Sequence, residues 1–250
     1  MRASARLRAE AAADGALRLP VLRSDPPLVL RRTTSGVTLV AGAGGPLGGD
    51  HLVLDVDVGP GARLTVGSAA ATVVQPDRTG AAASSEVTLC VAAGGALRWL
   101  PEPTVVTDGA DLHSLTTIRC APGGSLVWRE VVALGRHGQA GGTATTTTVV
   151  DSDRPVLRQT LTIGARAPSG WDGPAVAGGH RVVGTVILLG ELGEAAHASL
   201  PALHPDTVER VVLPLEAGGF AVTALGSSTV DVLRALQTRS CGARPGGWAP

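Results

Sequence analysis

The chain has 250 residues, with 21 basic side chains balancing 21 carboxylates, so no broad electrostatic attraction draws it to nucleic acid or an anionic membrane. Its basic residues are all arginine; the lack of lysine excludes Schiff-base chemistry, lysine-linked cofactors and a P-loop. Three cysteines (Cys90, Cys120 and Cys241) without CxxC spacing argue against a disulfide framework and fit a reducing, cytoplasmic setting.

From the N-terminus, charged residues break any apolar run, so neither a signal peptide nor a membrane span is expected. Gly42 and Gly44 begin a possible GxGxxG loop, but Leu47 stands at the third glycine position. Pro46 interrupts the loop, and a strand follows where a dinucleotide fingerprint needs a helix. That strand, HLVLDVDV (51–58), alternates strictly. Its pattern places His51, Asp55 and Asp57 on one face, with Asp50 adjacent. Such a face is either a weak, transient divalent-ion site or the solvated side of a sheet.

Further strands are expected over 86–91, 126–132, 145–150, 156–163, 182–189, 208–215 and 219–225, punctuated by Gly and Pro. GPGARLTV (59–66), AGGALRWL (93–100) and PGGSLVWR (122–129) form a degenerate repeat at a spacing of about thirty residues. Each unit is expected to be a strand pair reversed at its glycine turn and packed on its neighbours. HGQAGGTATTTT (137–148) is expected to be a long hairpin loop leading into a β-branched run. Helix signals are sparse: 227–239 begins with Ser228 as N-cap and Asp231 three residues on, and 191–200 is weaker.

No catalytic constellation emerges. The histidines at 51, 113, 137, 180, 197 and 204 make no metal-ligand spacing, Asp108, Asp111 and His113 form a loose cluster, and no GxSxG elbow is present. Three segments combine Trp with charge: LRWLPEPTVV (97–106), VWREVVALGRHGQ (127–139) and GWDGPAVAGG (170–179). In LRWLPEPTVV, Pro101 and Pro103 around Glu102 make a rigid bend that removes two ladder donors. Trp99, Trp128 and Trp171 read as core or turn anchors, with Glu130 paired to an arginine, or as part of a shared surface or internal passage. The fold expected is mainly β, a single layered β-sheet/β-solenoid-like domain over 1–250 with a few short helices, including one near the C-terminus.

These segments in this order (GGPLGGDHLVLDVDVGPGARLTV, SAAATVV, GGALRWLPEPTVV, PGGSLVWREVVALGR and GWDGPAVAGG) resemble the urease accessory protein UreD family, also called UreH, over essentially the whole chain. The resemblance implies a non-enzymatic, mostly β scaffold that binds urease apoprotein and UreF. UreF in turn recruits the GTPase UreG, and nickel passes toward the urease site without being held tightly as a cofactor. Carried over by motif, the positions are Gly48, Gly49 and Asp50; Trp99, Leu100, Pro101, Glu102 and Pro103; and Glu130, Gly135 and Arg136. Of these, Asp50, Trp99, Glu102, Glu130 and Arg136 are the candidates for partner binding or a nickel conduit. Two departures stand out: Val73 replaces a lysine found in many members, and Gly138-Gln139 replaces Gly-Glu. The rival readings are a β-solenoid or jelly-roll enzyme acting on a small molecule or sugar, and a stoichiometric nickel store.

Overall fold

The computed structural model describes residues 1–202 and 207–238. Two hydrogen-bonded sheets face each other across the core. The chain opens with a hairpin, β1 (Arg2–Ala11) and β2 (Leu17–Arg23), in the first sheet, then a second, β3 (Leu28–Thr33) and β4 (Gly36–Ala41), in the other. It then winds as coils, alternating between sheets: β5 (His51–Val58), β6 (Arg63–Ser68), β7 (Thr72–Val74), β8 (Ala83–Val91), β9 (Ala96–Leu100), β10 (Thr104–Val106), β11 (Asp111–Cys120) and β12 (Ser125–Leu134).

β5, β8 and β11 pair in parallel in the first sheet, while β6, β9 and β12 pair in parallel in the second. β13 (Thr143–Asp151) and β14 (Pro155–Gly164) complete the seven-stranded first sheet. β15 (Val182–Leu189), α1 (Gly190–Ala198), β16 (Val208–Pro214), β17 (Phe220–Gly226) and α2 (Thr229–Ala235) follow, and β15–β17 complete a ten-stranded second sheet. The mainly β, solenoid-like architecture expected from the sequence is therefore present, with a helix near the C-terminal end.

The glycine repeat is the arch of each coil. Gly59, Ala92 and Ala121 each accept, through the carbonyl, a bond from the amide three residues on, and Gly61, Gly94 and Gly123 hold φ between +70° and +78°. Glycine enters this left-handed region without a Cβ penalty, which explains its recurrence at each turn. One expectation changes here. The two strands of a repeat unit do not pair with each other; each crosses to the opposite sheet and pairs with its equivalent in the next coil. Residues 137–148 change for the same reason: 135–142 form an arch from β12 in one sheet to β13 in the other, not a hairpin loop.

Period-2 patterning then sorts the side chains. Along β5, Leu52, Leu54, Val56 and Val58 enter the core and His51, Val53, Asp55 and Asp57 face out. Between the sheets lie Leu64, Leu97, Leu126, Leu89, Ile118, Trp99 and Trp128. A second cluster, with Val127, Val186, Val222, Val232 and Leu236, seats the helices on the outer side of the second sheet. There Gly184 leaves room for α2: an added Cβ would lie 2.4 Å from Leu236 Cδ1 and 2.8 Å from Val232 Cγ1. Ser228 caps α2, its hydroxyl accepting from the Asp231 amide at 3.4 Å, as the sequence suggests.

Candidate functional site

The Pro101-Glu102-Pro103 bend shapes the site. β12 runs unbroken, pairing through Ser125–Trp128 with β9 and through Val132–Leu134 with β10. Residues 129–131 therefore face the bend, where proline has no amide to extend the ladder. The coil before breaks at the same level, between β6 and β7. Arg129 spans the break by donating Nη2 to the carbonyls of Leu100 (3.4 Å) and Pro101 (3.0 Å). Its guanidinium, held below the usual arginine range by burial, is favoured as a cation by nearby Glu102 and opposed by Arg98.

A cavity of about 320 Å³ lies between the sheets at this level. Leu52, Leu54, Val87, Trp99, Trp128 and Val132 form its apolar lining, and exposed Glu102 marks the place where it reaches the surface. Glu130, next to Arg129 but on the opposite face of β12, points into it. Protein encloses the Glu130 carboxyl, and its accessible surface faces the cavity. Burial pushes its pKa up to about 7, partly opposed by a bond from the Ser114 hydroxyl to Oε1 at 3.3 Å. Glu130 is thus bonded to a serine across the sheets and not to an arginine, which corrects the simpler reading of this motif. Its environment favours the protonated form far more than an exposed carboxylate's would.

The other sequence candidates lie around this chamber at different distances. Trp99 is 6% exposed and lines it. Asp50, 4% exposed, sits behind the wall: Oδ2 accepts from the Leu47 amide at 2.8 Å, Oδ1 meets the Met1 amine, and the bond to Leu47 fastens the Gly45–Gly49 loop whose Gly45 and Pro46 reach the cavity. Gly48 is bound into the same loop, its amide donating to the Gln75 carbonyl at 3.0 Å. Thr72 and Val74 line the chamber, and alternation turns Val73 away from it. Arg136 is not part of the chamber; it lies exposed at the tip of the 135–142 arch.

On the outer face of the first sheet, Asp57 pairs with Arg6 at 3.2 Å, and Asp55 lies in register with Arg6 and Thr88. The side chains of His51 and Asp50, adjacent in sequence, engage different neighbours, Ser84 for His51 and Leu47 with Met1 for Asp50. As the side chains stand, no three His, Cys, Asp or Glu among the described residues converge to hold a metal ion. Cys90 and Cys120 are free, and burial pushes the Cys120 thiol up to about 11. His204 and Cys241 lie outside the described residues.

Sequence reasoning missed Ser114 and Arg181, and grouped Asp108 with Asp111 and His113 where the fold sets it against the 135–142 arch. Ser114 is a polar inward residue on a strand whose outward Leu115 inverts the usual pattern. Arg181 holds the 135–142 arch by donating Nη2 to the Leu134 carbonyl at 2.6 Å and to that of Gln139, while Asp108 Oδ1 accepts from the Gly141 amide at 2.5 Å.

The fold is a two-sheet β-solenoid in which the enclosed Glu130 carboxyl, bonded to Ser114, faces a largely apolar chamber. The chain matches the model of the UreD urease accessory protein family over residues 1–245. It is 44% identical to urease accessory protein UreD of Streptomyces avermitilis over 242 residues, covering 94% of this chain and 95% of that protein. Urease accessory protein UreD 3 of Streptomyces griseus subsp. griseus is 43% identical (91% of each chain), and UreD of Streptomyces coelicolor 39% (94% of each). The chain belongs to the UreD urease accessory protein family. It is therefore an accessory protein of urease maturation and not an enzyme, which sets aside the small-molecule or sugar enzyme reading. No helix among the described residues is long and apolar enough to cross a membrane.

Proposed function

We propose that this chain is a cytoplasmic, single-domain scaffold that binds urease apoprotein and a UreF-like accessory protein, and that its chamber forms part of the route by which nickel travels from a UreG-like GTPase to urease. The observation that carries this reading is the pair Glu102 and Glu130, one at the mouth of the cavity and one inside it. A transit path must attract a divalent cation without trapping it. Several imidazoles or thiolates would hold Ni²⁺ too firmly to release it, whereas one enclosed carboxyl and a few hydroxyls offer a passing contact. Trp99 supplies apolar wall, Asp50 fixes the loop that closes one side, and exposed Arg136 is available to a protein partner. Co-purification of tagged full-length protein with urease apoprotein and with the UreF-like protein of the same organism tests the scaffold role. Recovery of neither complex removes it.

A further inference from the structure

The strand register assembles a second group of metal-ligating side chains on the outer face of the first sheet. His51 on β5 is opposite Ser84 on β8, and Ser84 is opposite His113 on β11. The two histidines thus stand in one row, two strand spacings apart, about 10 Å between Cα atoms. Glu86, two residues beyond Ser84 on the same face, is diagonal to both, within reach of long side chains. All three are open to solvent, at 37% for His51, 49% for Glu86 and 61% for His113.

The hydrogen bonds around Ser84 set the tautomer of His51. The Ser84 hydroxyl donates to the Asp50 carbonyl at 3.2 Å, so its oxygen accepts from His51 Nδ1 at 2.7 Å. With the proton on Nδ1, the Nε2 lone pair is free, and it lies 3.8 Å from Glu86 Oε1. A metal-ligating histidine has this arrangement: one ring nitrogen donates to a fixed acceptor, orienting the other toward the ion. His113 Nε2 stands 3.6 Å from Asp111 Oδ1, a buried oxygen without a hydrogen-bond partner, and Asp111 is tied to Arg166 at 3.2 Å. A site shared with Glu86 requires the His113 ring, 61% exposed, to turn from Asp111 toward Ser84, while Asp111 keeps its pair with Arg166.

We propose that His51, Glu86 and His113 form a surface site for a divalent transition-metal ion, with water completing the coordination. Two imidazoles and one carboxylate select Ni²⁺, Zn²⁺ or Cu²⁺ over Mg²⁺ and Ca²⁺. The site rests on the register of the parallel strands and is independent of nickel movement through the chamber.

Titration of the full-length protein with Ni²⁺ alone, followed by calorimetry and by paramagnetic broadening of the histidine ring signals, tests it. His51→Ala, His113→Ala and Glu86→Gln are each expected to weaken binding by at least about tenfold, since even an outer-shell partner is worth that much. Broadening should fall on His51 and His113. All three substitutions are on exposed side chains, and circular dichroism of each variant checks the fold. Wild-type affinity in the His51→Ala/His113→Ala double variant overturns the proposal. So does an absence of Ni²⁺ binding by the wild type.

Discussion

Ser114 on β11 and Glu130 on β12 join the two sheets through one hydrogen bond of 3.3 Å, the one bond the Glu130 carboxyl makes among the described residues. A carboxyl so poorly solvated prefers its proton, and its pKa rises to about 7 from an ordinary 4.5. The folded state then binds this proton more tightly than the unfolded chain. The resulting stabilisation is complete below pH 4.5, declines as pH rises, and is lost above about pH 7. Glu130→Gln removes this dependence. It is expected to be more stable than wild type at pH 8 by up to about 3 kcal/mol, with the difference vanishing near pH 4. Urea unfolding of both proteins across this range checks the sign.

On the conduit reading, Glu102 and Glu130 act in nickel delivery and not in assembly. Glu130→Gln is expected to slow nickel loading of urease about tenfold, the factor equivalent to about 1.4 kcal/mol, with Glu102→Gln acting in the same direction. Both variants should still co-purify with urease apoprotein. Metal analysis of the urease formed decides the matter, and normal loading with both variants removes the conduit role from these residues.

The 135–142 arch depends on Arg181, which bonds the carbonyl of Leu134 just before it and that of Gln139 within it. Arg181→Ala leaves those acceptors without their charged donor and is expected to cost about 1.5–3 kcal/mol. Hydrogen exchange should quicken at the Gly135, Gln139 and Gly141 amides while the β5 and β8 ladders stay protected. An unchanged exchange pattern at the arch would show that the backbone bonds from Gly135 and Gly142 to Val106 suffice to hold it.

α2 sits where it does because Gly184 has no side chain. Gly184→Val drives methyl groups into Val232 and Leu236 and is expected to destabilise by about 1–3 kcal/mol. Ser228→Ala, which removes the N-cap bond at 3.4 Å, should cost about 1 kcal/mol or less. Thermal unfolding should order the two variants this way, with Gly184→Val melting lower.

Sequence legibility followed the strength of the local pattern. β5 is readable because Leu and Val fill every inward position and polar residues occupy most of the outward ones. The glycine arches were readable because each turn needs the same left-handed residue. β1 escaped notice because Ala3, Ala5 and Ala9 are too small to stand out as an apolar face, although all three are buried. β11 escaped because its inward side carries Ser114 and Thr116, which line the chamber, while Leu115 faces solvent. Glu130 drew attention as a charge inside an apolar strand, but its partner was hidden. Which residue crosses the core to meet it depends on how coils stack, and no local spacing encodes that.

The coiled winding also bears on how the molecule comes to exist. β5, β8 and β11 pair with strands about one coil away in sequence, and β1 must find β5 after three intervening hairpin strands. Closing such separations costs chain entropy before any contact compensates, which makes folding slow compared with helical domains of similar size. Until β13 and β15 arrive, β11 and β12 present open, aliphatic-rich edges, so the nascent chain has a window of self-association that narrows only once residues 143–189 have been made.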